Sequence, residues 1–253
     1  MKPGLTYQPG KSFLHRLHPL VKFAWLVGLT GLVFLVKDPA VNLTAAVLLA
    51  AVFPLLGISF SSLRGFRLLV STAVLIGLLQ VLFTGEGAEL LTVGPVRVTD
   101  QGVLRGVYLA SRFLTVVFAS YTFVLTTDPG ELAYALMQTG LPYRWGFTLV
   151  TALRLVPIFE GEMLTVYRAQ LARGAAYDRS SVKELFGSLR GLLLPMLVSA
   201  VGRVDALAVS MEGRCFGRYP DRTYFRVHRT GQADWLALIG LVGLILAGVY
   251  WTL

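Results

Sequence analysis

The sequence predicts an all-α integral membrane protein: about five transmembrane helices plus a cytoplasmic region of about three amphipathic helices. Three observations carry that prediction. Of 253 residues, 55% are hydrophobic and 15% charged, where soluble chains average about 25% charged. Five windows hold no charge: Phe23–Val36, Ala40–Leu63, Leu68–Gly85, Phe113–Thr127 and Trp235–Leu253. Several approach the ~20 apolar residues that a helix needs to cross about 30 Å of hydrocarbon. The third observation is an uneven spread of Lys and Arg among the intervening loops. Composition of this kind excludes a soluble single-domain enzyme. The one cysteine, Cys215, excludes a disulfide-stapled scaffold.

The apolar windows place spans at about 20–36, 40–58, 66–84, 103–125 and 234–253. The first follows a basic stretch, as a signal peptide does, but it runs into Lys37-Asp38-Pro39 with no small-x-small cleavage pattern, and is read as a span. Net charge is +9, and in a membrane chain such an excess reports orientation before it suggests nucleic acid. Lys2, Lys11, Arg16 and Lys22 precede the first span without an acid, and Arg64 and Arg67 separate the second from the third. The loop from Gly85 to Gly102 holds Glu86, Glu89 and Asp100 against Arg97. The expected topology is a cytoplasmic N-terminus and an external C-terminus. Residues 1–127 form the N-terminal segment and four spans, 128–232 a cytoplasmic region, and 233–253 the fifth span.

The 105 residues from 128 to 232 are too many for a structureless loop. They hold 13 Lys+Arg and 9 Asp+Glu beside abundant Leu, Val, Met and aromatics. Asp128-Pro129-Gly130-Glu131 supplies an N-cap, a Pro at the first helical position and an acid in the first turn. Gly140 and Pro142 stop that short helix. A second helix is expected from Tyr143 to Arg173, with Leu149, Leu153, Val156, Met163, Tyr167 and Leu171 near one face, Pro157 kinking it and Glu160 interrupting the stripe. Ser181-Val182-Lys183-Glu184 is a capping box for a third, apolar at Leu197, Val201, Val204, Leu207, Ala208 and Met211 and ending near Arg214. Arg154, Glu160, Glu162 and Arg168 make spanning costly, so these two helices are read as amphipathic. Their stripes bury against each other, the membrane interface or another protein.

The two helices end alike. The second finishes Ala172-Arg173-Gly174 and the third Gly213-Arg214-Cys215. An arginine there complements the partial negative charge of the last carbonyls, worth about 0.3–1 kcal/mol. It also offers a planar fork, cleared by small neighbours, that can grip carboxylates on a partner.

These residues resemble the transmembrane T component of energy-coupling factor transporters, vitamin and metal importers of the ABC class. The resemblance covers nearly the whole chain. Tyr7, Pro9-Gly10, Ser12, Leu14-His15-Arg16-Leu17, Pro19 and Lys22 look like that family's opening, with His18 where Asp is usual. Thr126-Thr127-Asp128-Pro129-Gly130-Glu131-Leu132 is similar to the lead into its coupling domain. Leu153 to Pro157, Glu162 and Ala169 to Gly174 look like its first Ala-Arg-Gly signature; Leu194-Pro195, Arg203, Asp205 and Met211 to Phe216 resemble the second, which here reads Gly-Arg-Cys. Arg222-Thr223-Tyr224 matches its exit.

The resemblance implies a coupling subunit that is not an enzyme. ATP and Mg would sit on two partner ABC ATPase subunits, docked by Arg173 and Arg214 with Ala172, Gly174 and Gly213 as their small neighbours. A separate substrate-binding S component in the membrane would capture a vitamin or a transition-metal cation. Leu153, Val156, Leu197, Val201, Val204 and Leu207 are the residues expected to meet it, unless they pack the two helices together. The alternative is a conventional ABC permease forming its own substrate pathway. A membrane-embedded enzyme would need clustered acids or histidines at the lipid boundary, and none is seen.

Three other features are weaker. Gly4 to Ser12 has five residues between its glycines where a phosphate loop requires four. His15 and His18 share a helical face without a third ligand nearby, so no metal is expected. Arg112 lies ~15 Å along the fourth span if that span starts near Gly102, where it could bond Gln80 or backbone carbonyls. A start near Tyr108 would leave Arg105 outside.

Overall fold

The computed structural model describes residues 10, 12–36, 38–55, 65–93, 96–174, 182–219 and 230–252. Nine helices and one hairpin are formed by these residues: α1 (Phe13–Arg16), α2 (Pro19–Leu35), α3 (Pro39–Leu55), α4 (Phe66–Phe83), β1 (Glu89–Val93), β2 (Val96–Thr99), α5 (Asp100–Thr126), α6 (Pro129–Gln138), α7 (Tyr143–Ala172), α8 (Val182–Gly213) and α9 (Gln232–Thr252). Tyr7 and Pro9 of the opening motif, the Ser181 cap and the Arg222-Thr223-Tyr224 exit lie outside the described residues. The chain divides into two compact units, Met1–Ala135 with His228–Leu253, and Leu136–Val227.

In the first unit α5 is central, packed by α4, α3 and α2, and α9 packs on α2. Phe53, Phe118 and Leu125 form one core cluster; Leu29, Val33 and Ala119 form another. Most other large side chains of α2, α3, α4 and α9 are exposed. That is the pattern of helices solvated by lipid, where only closed backbone hydrogen bonding is obligatory.

Four stretches are long and apolar enough to cross a membrane: Phe66–Phe83, Asp100–Thr126, Leu189–Gly213 and Gln232–Tyr250. α2 and α3 are apolar but shorter, at 17 residues each, about 25 Å of axis. α8, read from the sequence as amphipathic, contains one of these four stretches. Gly191 to Gly202 carries no charge, and the polar residues that argued against spanning belong to α7. A second addition is the hairpin, in a segment read as loop. It pairs Glu89 with Thr99 and Val93 with Val96, with an irregularity between Glu89 and Leu91.

Several polar groups inside the bundle are bonded at helix ends. Thr99 caps α5, accepting from Gly102 N at 3.2 Å and donating to Thr84 O at 2.9 Å. Where α2 starts, α5 ends and α9 starts, three tethers meet. His18 N donates to Asp234 Oδ1 at 2.7 Å, Lys22 Nζ to Thr126 O at 2.8 Å, and Trp25 Nε1 to Ala237 O at 3.0 Å. A buried lysine is tolerated there because the last carbonyls of α5 carry partial negative charge. His18 also caps α2, its Nδ1 accepting from Leu20 N at 3.3 Å.

Arg105 pairs with Glu86 at 2.9 Å, both side chains more than half exposed. Arg112 bonds neither of the two expected partners. Its guanidinium lies 3.5 Å from the Phe34 ring centroid and donates to Tyr108 Oη at 3.3 Å. Gln80 instead donates to Thr84 Oγ1. A cation over an aromatic face keeps its attraction where water is scarce.

α4 and α5 approach closely through their backbones. A Cβ built on Gly106 would stand 2.7 Å from Gly77 O, the close backbone approach that small residues permit in membrane bundles. Gly106→Ala should therefore lower thermal stability in detergent, by about 1–3 kcal/mol. Gly31→Ala, whose Cβ meets nothing within 4 Å, should leave it unchanged or raised; equal effects at both positions would contradict this packing.

Candidate functional site

The second unit contains the two arginine-bearing ends. α6 begins where the sequence placed it, with Asp128 Oδ1 accepting from Gly130 N at 2.9 Å. Its Met137 lies over Gly146 near the start of α7. α7 runs unbroken through Pro157, and α8 through Pro195. The two are antiparallel, joined at three levels. At one end Phe216 packs on Tyr143 and Phe147, with ring centroids 5.6 and 4.6 Å away. Mid-way, Glu162 accepts from Ser199 Oγ at 3.1 Å and Arg203 Nε at 2.8 Å, and also from Arg203 Nη2. At the other end Gln170 Nε2 donates to Gly191 O at 3.2 Å.

The Arg203 guanidinium bonded to Glu162 holds that carboxyl below the usual carboxylate range. Because the carboxyl is held below its ordinary value, the bridge is complete at neutral pH and is lost only as acid protonates Glu162, below the usual carboxylate range.

Each arginine occupies the cap position of its helix. After Arg173, Gly174 turns left-handed at φ +85° and donates its N–H to Leu171 O at 2.9 Å. After Arg214, Cys215 does the same at φ +54°, donating to Glu212 O at 3.0 Å, and Phe216 N reaches Met211 O at 3.0 Å. That pair of reverse bonds is the Schellman ending, normally built with glycine. The cysteine of the second signature thus preserves the turn that glycine makes in the first. It does so against the steric cost of a Cβ in the left-handed region.

Arg173, Arg214, Ala172, Gly174 and Gly213 are all exposed. Because α7 and α8 are antiparallel, the two arginines are not side by side. They stand at opposite ends of the hairpin, separated by about 26 residues of α7, or ~40 Å of axis. Residue spacing along one helix could not have revealed this, since it depends on how two helices pair.

The apolar residues divide as well. Val156, Leu197, Val201 and Val204 are 53–63% exposed, while Leu153 and Leu207 are half-buried. Among the described residues, α7 buries Gly146 alone and α8 none. The stripes are thus open surfaces more than a shared seam. Sequence reasoning missed Phe216, Glu162 and Arg203 as contacts between the two helices. No group of three metal-ligating side chains gathers among the described residues.

Comparison with known proteins decides the family. The family model described as cobalt transport protein, CbiQ, matches residues 10–225. The chain belongs to that family. It is 32% identical to the energy-coupling factor transporter transmembrane protein EcfT of Thermosediminibacter oceani, over 96% of this chain and 94% of that one. It is 31% identical to EcfT of Lacticaseibacillus paracasei, over 96% and 95%. With EcfT of Bacillus subtilis it shares 28% over 87% and 86%. This CbiQ-family chain is thus a multi-pass membrane protein, the transmembrane component of an energy-coupling factor transporter, in a family of transporter components and not of enzymes.

The Cys215 geometry yields a prediction. Replacing it with glycine removes about 1–2 kcal/mol of backbone strain, partly offset by glycine's greater freedom when unfolded. Cys215→Gly should raise the detergent melting midpoint by about 2–4 °C. A midpoint that falls would show that the thiol or Cβ makes a contact outweighing the strain.

Proposed function

We propose that this chain couples two ABC ATPase subunits to a substrate-binding S component, for uptake of a vitamin or a transition-metal cation. The observation that carries the reading is the pair of exposed, identically terminated arginines at opposite ends of one antiparallel hairpin. One rigid element with two equivalent tips ~40 Å apart suits a partner that is itself a pair. Arg173, flanked by Ala172 and Gly174, meets one ATPase subunit; Arg214, beside Gly213, meets the other. Each guanidinium leaves its fork open for carboxylates or carbonyls in a groove. ATP and Mg belong to those subunits, and this chain carries no cofactor of its own.

The outward apolar stripes, Val156 with Leu197, Val201 and Val204, give the S component a surface, with Leu153 and Leu207 at its edge. A surface destined for a membrane subunit explains why α8 is apolar enough to pass for a span. In this reading residues 128–232 are the cytoplasmic coupling domain, the N-terminus is cytoplasmic and the C-terminus external. A permease with its own pathway is disfavoured. The bundle has an apolar cleft of about 350 Å³ lined by Phe13, Trp25, Leu29 and Phe123, with Lys22 as its one charged lining residue. Hydrated cations and polar vitamins find little to bind there.

Arg173→Glu combined with Arg214→Glu should abolish co-purification with ATPase subunits while membrane insertion persists. Each single substitution, leaving one tip, should weaken capture by roughly thirtyfold, as expected for reversing one desolvated charge contact. Retained complex in the double variant would reject the assignment.

A further inference from the structure

Among the described residues the apolar side chains of α7 and α8 are at most half-buried, and hydrophobic contact, being non-directional, sets register only loosely. What does hold the middle of the pair is Glu162. Ser199 and Arg203 stand one turn apart on α8, and both donate to its carboxylate. A charge-assisted bond from a planar guanidinium has a preferred direction, and it is flanked by the Gln170 and Phe216 contacts. Residues 147, 162 and 170 of α7 thus meet 216, 199/203 and 191, one continuous antiparallel register. Holding the helices by a polar bridge also leaves their apolar stripes unoccupied.

We propose that Glu162 is a positioning residue of the transport cycle: by gripping Ser199 and Arg203 it locks α7 to α8, so that displacement at either arginine tip moves the hairpin as one piece. The inference rests on the docking role proposed for Arg173 and Arg214. A partly exposed ion pair adds little to global stability, so loss of Glu162 leaves the chain folded and the hairpin loose.

The test places spin labels at Thr165 and Ser210, both exposed, in a Cys215→Ser background. Inter-label distances are measured in the isolated chain and in the complex with its ATPase subunits, nucleotide-free and trapped with Mg-ATP and vanadate. The expected wild-type distribution is narrow and the same in both nucleotide states. Glu162→Ala should at least double its width and make it shift on trapping, with ATPase subunits still bound; Glu162→Gln, which keeps an acceptor oxygen, should fall between. Exchanging the charges, Glu162→Arg with Arg203→Glu, should restore the narrow distribution. A narrow, nucleotide-independent distribution in Glu162→Ala overturns the proposal, as does a wild-type hairpin that deforms on trapping. Arg173→Glu/Arg214→Glu serves as the control. If that variant keeps its ATPases the docking role fails, while distances in the isolated chain still report on the Glu162 grip.

Discussion

The antiparallel pairing of α7 with α8 is the constraint from which the rest follows. Helix C-termini leave carbonyls unsatisfied, and both of these helices resolve the problem with the same left-handed turn after an arginine. Taken singly, each ending is ordinary charge complementation of a helix dipole. Antiparallel pairing turns two ordinary endings into one object with a cation at each pole. Phe216 contributes twice, closing the α8 turn through its N–H and seating its ring between Tyr143 and Phe147, so the geometry of the Arg214 tip is set by α7 as well.

The membrane bundle solves a different problem. Its helices expose large apolar side chains outward and reserve close packing for a few small residues, of which Gly77 and Gly106 are the clearest. Some of its buried polar atoms are matched to helix ends: Thr99 at the start of α5, Lys22 at its finish, Asp234 at the start of α9. The Lys22 and Asp234 tethers gather the chain where α5 ends toward α6 and where it returns as α9.

Much of the helical layout was legible in the sequence because its punctuation is chemical and local. Asp128, Gly140 with Pro142, and the two arginine endings mark boundaries that the structure places within a residue or so. The β1–β2 hairpin was not legible: the segment is short, and its acids had been read for topology instead of strand pattern. For Arg112 the sequence offered only polar alternatives, Gln80 on the neighbouring span or backbone carbonyls, because a packing contact with Phe34 of another helix has no signature in sequence. Arg173 and Arg214 were visible as residues, yet their opposition was invisible, because it depends on the register between helices. The same holds for Glu162, whose role appears once α8 brings Arg203 alongside it. As for α8 itself, composition alone cannot separate a span from a surface built to face a membrane subunit.

Cys215 offers the most direct test of the account, being the chain's one cysteine, exposed, and adjacent to Arg214. A membrane-impermeant maleimide applied to intact cells should leave it unmodified, and the same reagent applied to inside-out vesicles should label it. Labelling in intact cells would put an arginine tip on the external face, out of reach of any ATPase, and would contradict the account.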